Sequence, residues 1–369
     1  MCYAFDALDS TGNTLLVGND CGAFLSHDFG KTWSSDYNRT LTTRMFDTPG
    51  ESSKPALSAS ETVEELVVGA FQDNGKAYLS GDGEPWRELG SVGDGFVAVF
   101  VTGDVVMSGG NDSDGDLKWA QWDGTKFGAE VKLEPLGYPG SFLPHIARIP
   151  DPQRKDGSGA LMVAVACDDG NSGKIWGRFD RGAGYSPLAQ RFSWTELASV
   201  AVTGLYAIAS FTGHIIVVGG IKGSGPSAAP CIYLVDSVTG VAAEATLPPG
   251  APANTPRWIS LCDESSGFAL QKSTLWRTND LMSWSVVPAE LPGQLSALAI
   301  DRETDPVRLI VASSDGVWTS RDFGVTWQPT IGHPKHPQAN HLEVVKYPSG
   351  RRVAHMGTWN WSLWRAELS

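Results

Sequence analysis

The chain has 369 residues, of which 41% are hydrophobic and 19% charged, enough apolar material for a full core and too little charge for an intrinsically disordered chain. Its formal net charge of -13 sets nucleic acid aside as a partner, because that affinity rests on Lys and Arg neutralising phosphates. With 42 Gly, 22 Pro and 14 Trp and no long amphipathic helical stretch, the composition points to one all-β domain over residues 1–369.

The N-terminal Met-Cys-Tyr-Ala-Phe-Asp lacks a basic stretch followed by an apolar run, and no segment reaches the roughly 18 apolar residues needed to span a membrane, so membrane insertion is not expected. The chain enters a strand almost at once. Had a signal peptide been trimmed, the setting would be extracellular and Asn38-Arg39-Thr40 a usable sequon; otherwise it would be cytoplasmic. The five cysteines are odd in number, widely spaced and without a CxxC pair, which signals buried thiols rather than a zinc site or a disulfide framework.

In chain order, inner strands with β-branched or aromatic alternation are expected to begin near Tyr3, Met45, Phe96, His145, Leu205, Trp258, Leu295 and His341. Turns punctuate them. Asn19-Asp20-Cys21-Gly22 follows the first strand pair, Gln72-Asp73-Asn74-Gly75 a later one, and Gly93-Asp94-Gly95-Phe96 opens a further strand. The segment Ser26-His27-Asp28-Phe29-Gly30-Lys31-Thr32-Trp33 returns almost unchanged as Ser320-Arg321-Asp322-Phe323-Gly324-Val325-Thr326-Trp327. Weaker copies are Ser80-Gly81-Asp82-Gly83-Glu84-Pro85-Trp86 and Thr278-Asn279-Asp280-Leu281-Met282-Ser283-Trp284, with a degenerate Trp122-Asp123-Gly124-Thr125-Lys126-Phe127. Trp327 follows Trp284 by 43 positions and Trp86 follows Trp33 by 53, room for four short strands with their turns.

The S-x-D-x-G-x-T-W pattern resembles the Asp-box of sialidases, sortilin-type receptors and xyloglucan-cleaving propellers. The resemblance implies a single β-propeller of seven or eight four-stranded blades, the box lying on the turn between third and fourth strands, away from the chemistry. Its Asp would accept backbone N–H groups, its Gly would take a left-handed conformation, and its Trp would plug between blades. A second resemblance, carried by Val17 to Phe24, Gly69 to Gly75, Gly93 to Phe96 and the closing Met356-Gly357-Thr358-Trp359-Asn360-Trp361-Ser362-Leu363-Trp364-Arg365, is to bacterial secreted Asp-box proteins; Trp361 stands where Arg is usual there. The last unit, Leu342 to Leu368, shows three strands and no fourth.

On a propeller, turns between second and third strands share one face with the starts of the inner strands. That face would carry Asp20, Asp73, Asp112 to Asp116, Asp168, Asp169 and Asp315 from turns, and Asp94, His145, Trp258 and His341 from strand starts. Asp20, Asp73 and Asp94 are the candidate catalytic carboxylates, for glycoside cleavage by a protonated and an ionised pair. Asp20 stands where xyloglucan-cleaving propellers carry an acid, which the resemblance alone implies. Gln72, His145, Trp258, His341, Trp359 and Trp361 are candidates for binding substrate, the indoles by stacking on sugar rings. The acidic rim could equally hold Ca2+ through oxygen ligands, or its Asp residues could simply satisfy turn donors. His145, His333, His336 and His341 raise a transition-metal reading, although no close ligand pair sits on a single strand. Arg148-Ile149-Pro150 resembles the sialidase R-I-P motif, but the remaining arginines and the Tyr/Glu pair do not assemble, and no GxSxG elbow occurs. The leading expectation is a propeller that recognises or cleaves a carbohydrate. The alternatives are a noncatalytic platform for a protein or peptide, resembling sortilin-type propellers, and a small-molecule enzyme working in the central channel.

Overall fold

The computed structural model describes residues 2–7, 13–19, 22–34, 56–71, 75–81, 84–90, 95–102, 105–110, 117–132, 145–150, 160–167, 172–180, 192–251, 256–271, 274–288, 291–333, 336–359 and 362–369. Among them the regular structure is antiparallel β, with one single-turn 3-10 helix at Gly225–Ser227. The first sheet joins β1 (Cys2–Ala7), β2 (Leu15–Asn19) and β3 (Gly22–Ser26). The second comprises β4 (Leu57–Ala59), β5 (Leu66–Phe71), β6 (Gly75–Ser80) and β7 (Arg87–Leu89). The third comprises β8 (Gly95–Thr102), β9 (Val105–Gly110), β10 (Leu117–Gln121) and β11 (Val131–Lys132). The fourth holds β12 (His145–Pro150), β13 (Ala160–Cys167), β14 (Gly173–Asp180) and β15 (Phe192–Val200). The fifth holds β16 (Gly204–Ser210), β17 (Ile215–Lys222), β18 (Ala229–Asp236) and β19 (Ala242–Glu244). The sixth contains β20 (Trp258–Leu261), β21 (Gly267–Gln271), β22 (Thr274–Thr278) and β23 (Trp284–Val286). The seventh contains β24 (Leu295–Asp301), β25 (Arg308–Ser313), β26 (Gly316–Ser320) and β27 (Gln328–Pro329); the last is β28 (Ala339–Lys346), β29 (Arg352–Thr358) and β30 (Ser362–Glu367).

Each sheet is an up-and-down meander whose strands pair only with their sequence neighbours. Strands such as β5 (Leu-Val-Val-Gly-Ala-Phe) and β25 (Arg-Leu-Ile-Val-Ala-Ser) are buried at every position, so both faces of these sheets are covered. Apolar clusters bridge neighbouring sheets. Val68 and Tyr78 meet Phe100, Trp122 and Phe127 between the second and third sheets, and Ile175 meets Val218 and Tyr233 between the fourth and fifth. Ile232 meets Trp276 and Trp284 between the fifth and sixth, and Phe268, Leu298 and Leu342 share one cluster across the sixth, seventh and last. β8 lies beside β12, and β28 and β29 return to β4, so seven sheets form a closed cycle of neighbours. The fold is a β-propeller, as expected. The innermost strand of the second sheet is Leu57–Ala59, whereas Met45 lies outside the described residues. The last sheet shows three strands among the described residues, matching the sequence reading.

The seam between the last and second sheets has its own chemistry. Tyr347 and Val353 pack on Phe71 and Leu79, and the Glu343 carboxylate accepts the Ala59 N–H. Arg351 donates to Glu64 at 3.1 Å, to Glu65 at 2.8 Å and to Glu367, and Arg365 donates to Glu65.

The repeated segments fold alike. Ser26 and Ser320 Oγ accept the Gly30 and Gly324 N–H at 2.8 and 2.9 Å; Asp28 and Asp322 accept the Thr32 and Thr326 N–H at 2.8 and 2.9 Å. These bonds favour the ionised form, and both carboxyls are held down to about 2, the Thr hydroxyls being the largest cause. Phe29 and Phe323 adopt φ of 63° and 56°, each followed by a glycine at about 80°. Asp280 and Asp123 accept turn N–H groups in the same way. All four turns join third to fourth strands, or lead out of a third strand, as expected. The buried plug holds for Trp284, and Phe127 fills the matching position of the degenerate copy, but Trp33 is 41% exposed.

Candidate functional site

The face formed by inner-strand starts and by second-to-third-strand turns is the end opposite the Asp28, Asp123, Asp280 and Asp322 turns, because successive strands run antiparallel. Asp20, Gln72, Asp73, Asp94, Trp361, Asp112 to Asp116, Asp168 and Asp169 lie outside the described residues. His145 begins β12 as expected, and its side chain is likewise outside them.

Two predicted binding residues come together. The rings of Trp258, first residue of β20, and His341, near the start of β28, have centroids 5.3 Å apart at 54°. These strands belong to sheets separated by the β24 to β27 sheet, so the pair bridges across that sheet's inner edge. A register shift between Ala339 and His341 locally breaks the strand's regular pairing here. His341 is 7% exposed, and among the described residues neither of its ring nitrogens has a hydrogen-bond partner. The Glu343 carboxylate stands 3.8 Å from His341 Nε2, beyond hydrogen-bond range. Glu343 was not among the sequence candidates. Its signal was its position two residues after His341 on a strand, which places both side chains on one face.

Beyond Glu343, the cross-strand neighbour His355 on β29 is fully buried, with Nε2 3.0 Å from the Tyr347 hydroxyl. Burial, with Arg365 and His341 nearby, pushes its pKa down to about 3, so the ring is neutral and shares a hydrogen bond with the Tyr347 hydroxyl. Burial also raises the Tyr347 phenol. The remaining candidates are dispersed. Trp359 is half-buried and donates its backbone N–H to Gln338 O at 3.1 Å. Asp315 is exposed and accepts the Ser314 hydroxyl, the turn role considered from sequence. His336 Nδ1 meets Ser314 O at 2.8 Å, and His333 covers Gly316. Among the described residues no three His, Cys, Asp or Glu side chains converge as a metal site. Cys231 and Cys262 are buried thiols, as the cysteine spacing suggested, and no helix among the described residues is long and apolar enough to cross a membrane.

The sequence matches no protein-family profile and no curated protein. Among solved structures, the chain is similar to the N-terminal domain of Nup159, with a TM-score of 0.50 and 13% identity over 89% of this chain and 90% of that one. It is also similar to the Niastella koreensis GH74 enzyme, with a TM-score of 0.46 and 13% identity over 99% of this chain, which spans 65% of that enzyme's length. At such identity the likeness speaks to architecture alone, and it agrees with the cycle of antiparallel sheets in assigning this chain the β-propeller fold.

Proposed function

We propose that this propeller binds a carbohydrate at the channel-mouth face, with His341, Trp258 and Trp359 as contacts and Glu343 beside the imidazole. One observation carries the reading: an almost fully buried imidazole, set against an indole, keeps both nitrogens without a partner. Leaving such groups unpaired is costly, and a ligand hydroxyl, able to donate and accept, would satisfy them. The nearby Glu343 carboxylate and the net charge of -13 favour a neutral or cationic ligand over an anionic one. Cleavage would rest on Asp20, Asp73 or Asp94, and calcium on the same acidic turns. The family reading is Asp-box propeller, supported by the matched turn geometry of Asp28 and Asp322. A noncatalytic platform for a peptide is the second reading, favoured by the dispersal of the remaining polar groups.

The test is a glycan array with chromogenic glycosides, with and without calcium, comparing the native chain with His341→Ala, Asp20→Asn and Asp94→Asn. Binding weakened about tenfold or more by His341→Ala is expected, the loss of a buried hydrogen-bonding group. Turnover abolished by either Asp variant would extend the reading to hydrolysis. An array with no binding to any glycan, beside a peptide array with binding lost in His341→Ala, would replace it with the platform.

A further inference from the structure

The opposite end of the molecule carries a cleft. Between the sixth and seventh sheets a cavity of about 290 Å³ is lined by Ser266, Phe268, Arg277, Asn279, Asp322 and Phe323. Its size is at the lower end for small-ligand sites. The sequence explains its shape. On β22, Leu275 and Arg277 share the face turned to the seventh sheet; Leu275 enters the shared apolar cluster, and Arg277, at the strand's outer end, stands where the sheets part. Arg277 pairs across the sheet with Phe268 on one side and Ser285 on the other, and the buried Phe268 lines the same cleft.

Arg277 differs from four other arginines of this half of the chain. Arg302 donates to Leu261 O at 2.8 Å, Arg352 to Asp301 at 2.8 Å, Arg308 to Ser369 O and Arg365 to Glu65. The Arg277 guanidinium is half-buried and has no carboxylate or carbonyl partner among the described residues. The neighbouring Asp322 does not supply one, because its oxygens are taken by Ser320, by the Thr326 N–H and by the Thr326 hydroxyl. Phe323, held at a left-handed φ of 56°, is 42% exposed at the cleft, whereas Leu281 in the matching position of the preceding turn is 3% exposed.

We propose that this cleft binds a monocarboxylate with a flat apolar body, the carboxylate forked by Arg277 and the body lying between Phe268 and Phe323. A planar guanidinium favours two parallel hydrogen bonds to a carboxylate, and partial burial strengthens them. The Asp322 charge at the rim disfavours dianions such as phosphate monoesters. The ligand is either a free small acid or the C-terminal carboxylate of a peptide ending in an aromatic residue.

Calorimetric titration of the full chain with 3-phenylpropionate and its primary amide, and with a short peptide ending in Phe as free acid and as amide, tests this. Each free acid that binds should do so about tenfold more tightly than its amide, the difference a charge-assisted pair carries. Arg277→Gln should erase that preference and Phe323→Ala weaken both forms, while exposed Arg321→Gln and His341→Ala change neither. A preference held only by the small acid, or only by the peptide, identifies the source. Equal binding of acid and amide, no binding of any probe, or a preference that survives Arg277→Gln overturns the proposal; should Arg277→Gln fail to fold, Arg277→Lys, which keeps the charge without the fork, and Phe323→Ala decide it. The outcome is independent of the glycan array, which reads the opposite end.

Discussion

Acidification should weaken the fold through one residue, His355, well before the carboxylates titrate. Its side chain is enclosed beside Tyr347, with Glu343 across the strand on one side, Arg365 on the other and His341 nearby. Its folded pKa, down to about 3, is below the ordinary 6.5 of the unfolded chain, so the unfolded state binds the proton first. The corresponding stability is complete well above pH 6.5 and is lost progressively as pH falls toward about 3. At about 1.36 kcal/mol per pH unit, lowering the pH from about 7.5 to about 5 removes roughly 2 kcal/mol from this group alone. Asp28 and Asp322 act in a lower window: their folded pKa values are depressed to about 2, so their contribution is present above 3.8 and fails only as pH falls through about 2. Urea unfolding at fixed ionic strength across the upper window measures the slope, and His355→Gln, which cannot take up a proton, should flatten it by about that amount. An unchanged slope in His355→Gln would refute the assignment.

Two further predictions concern packing. Trp276 is fully buried, and its indole N–H has no hydrogen-bond partner, so Trp276→Ala should cost ~3–5 kcal/mol, whereas Trp276→Phe should stay within ~1 kcal/mol because it also removes an unsatisfied donor. Equal losses in the two variants, read by urea midpoints, would contradict this. Gly324 and Gly332 share nearly the same φ, 82° and 83°, but a Cβ at Gly324 would lie 3.1 Å from Val287 and one at Gly332 meets nothing within 4 Å. Both Ala variants should therefore lose ~1–2 kcal/mol of backbone energy, with the Gly324→Ala melting temperature falling further.

Much of the architecture was legible because propeller strands obey strong local rules. His145, Trp258 and Leu295 open β12, β20 and β24 as read from alternation and turn residues, and Phe96, Leu205 and His341 fall within two positions of the observed starts. The short β4 carries Leu-Ser-Ala, without β-branched residues, and so gave no such signal. The box-like turns were legible because their bonds are local, Ser to Gly and Asp to Thr within four residues. His341 meeting Trp258 was not legible as a contact, since it bridges sheets over a neighbouring strand, although the shared face of their strand starts was. Arg277 drew no notice because an arginine on a strand is ordinary until its surroundings are known to lack a carboxylate.

The seam between the last sheet and β4 has a consequence for how the molecule assembles. The Glu343 to Ala59 bond joins residues 284 positions apart, and the Arg351 and Arg365 pairs span comparable separations, whereas each sheet is made from adjacent segments of chain. Sheets can therefore condense one by one as meanders, while closing the circle must wait for the most distant partners and bear the largest loop-closure entropy. Among the described residues no strand of the last sheet is contributed by the second, and the two meet through a lateral handshake of carboxylates, guanidiniums and a few apolar side chains. In a refolding time course, signals from the Tyr347 and His355 surroundings would be the last to reach their native values, and they would be the part of the chronology that responds to added salt.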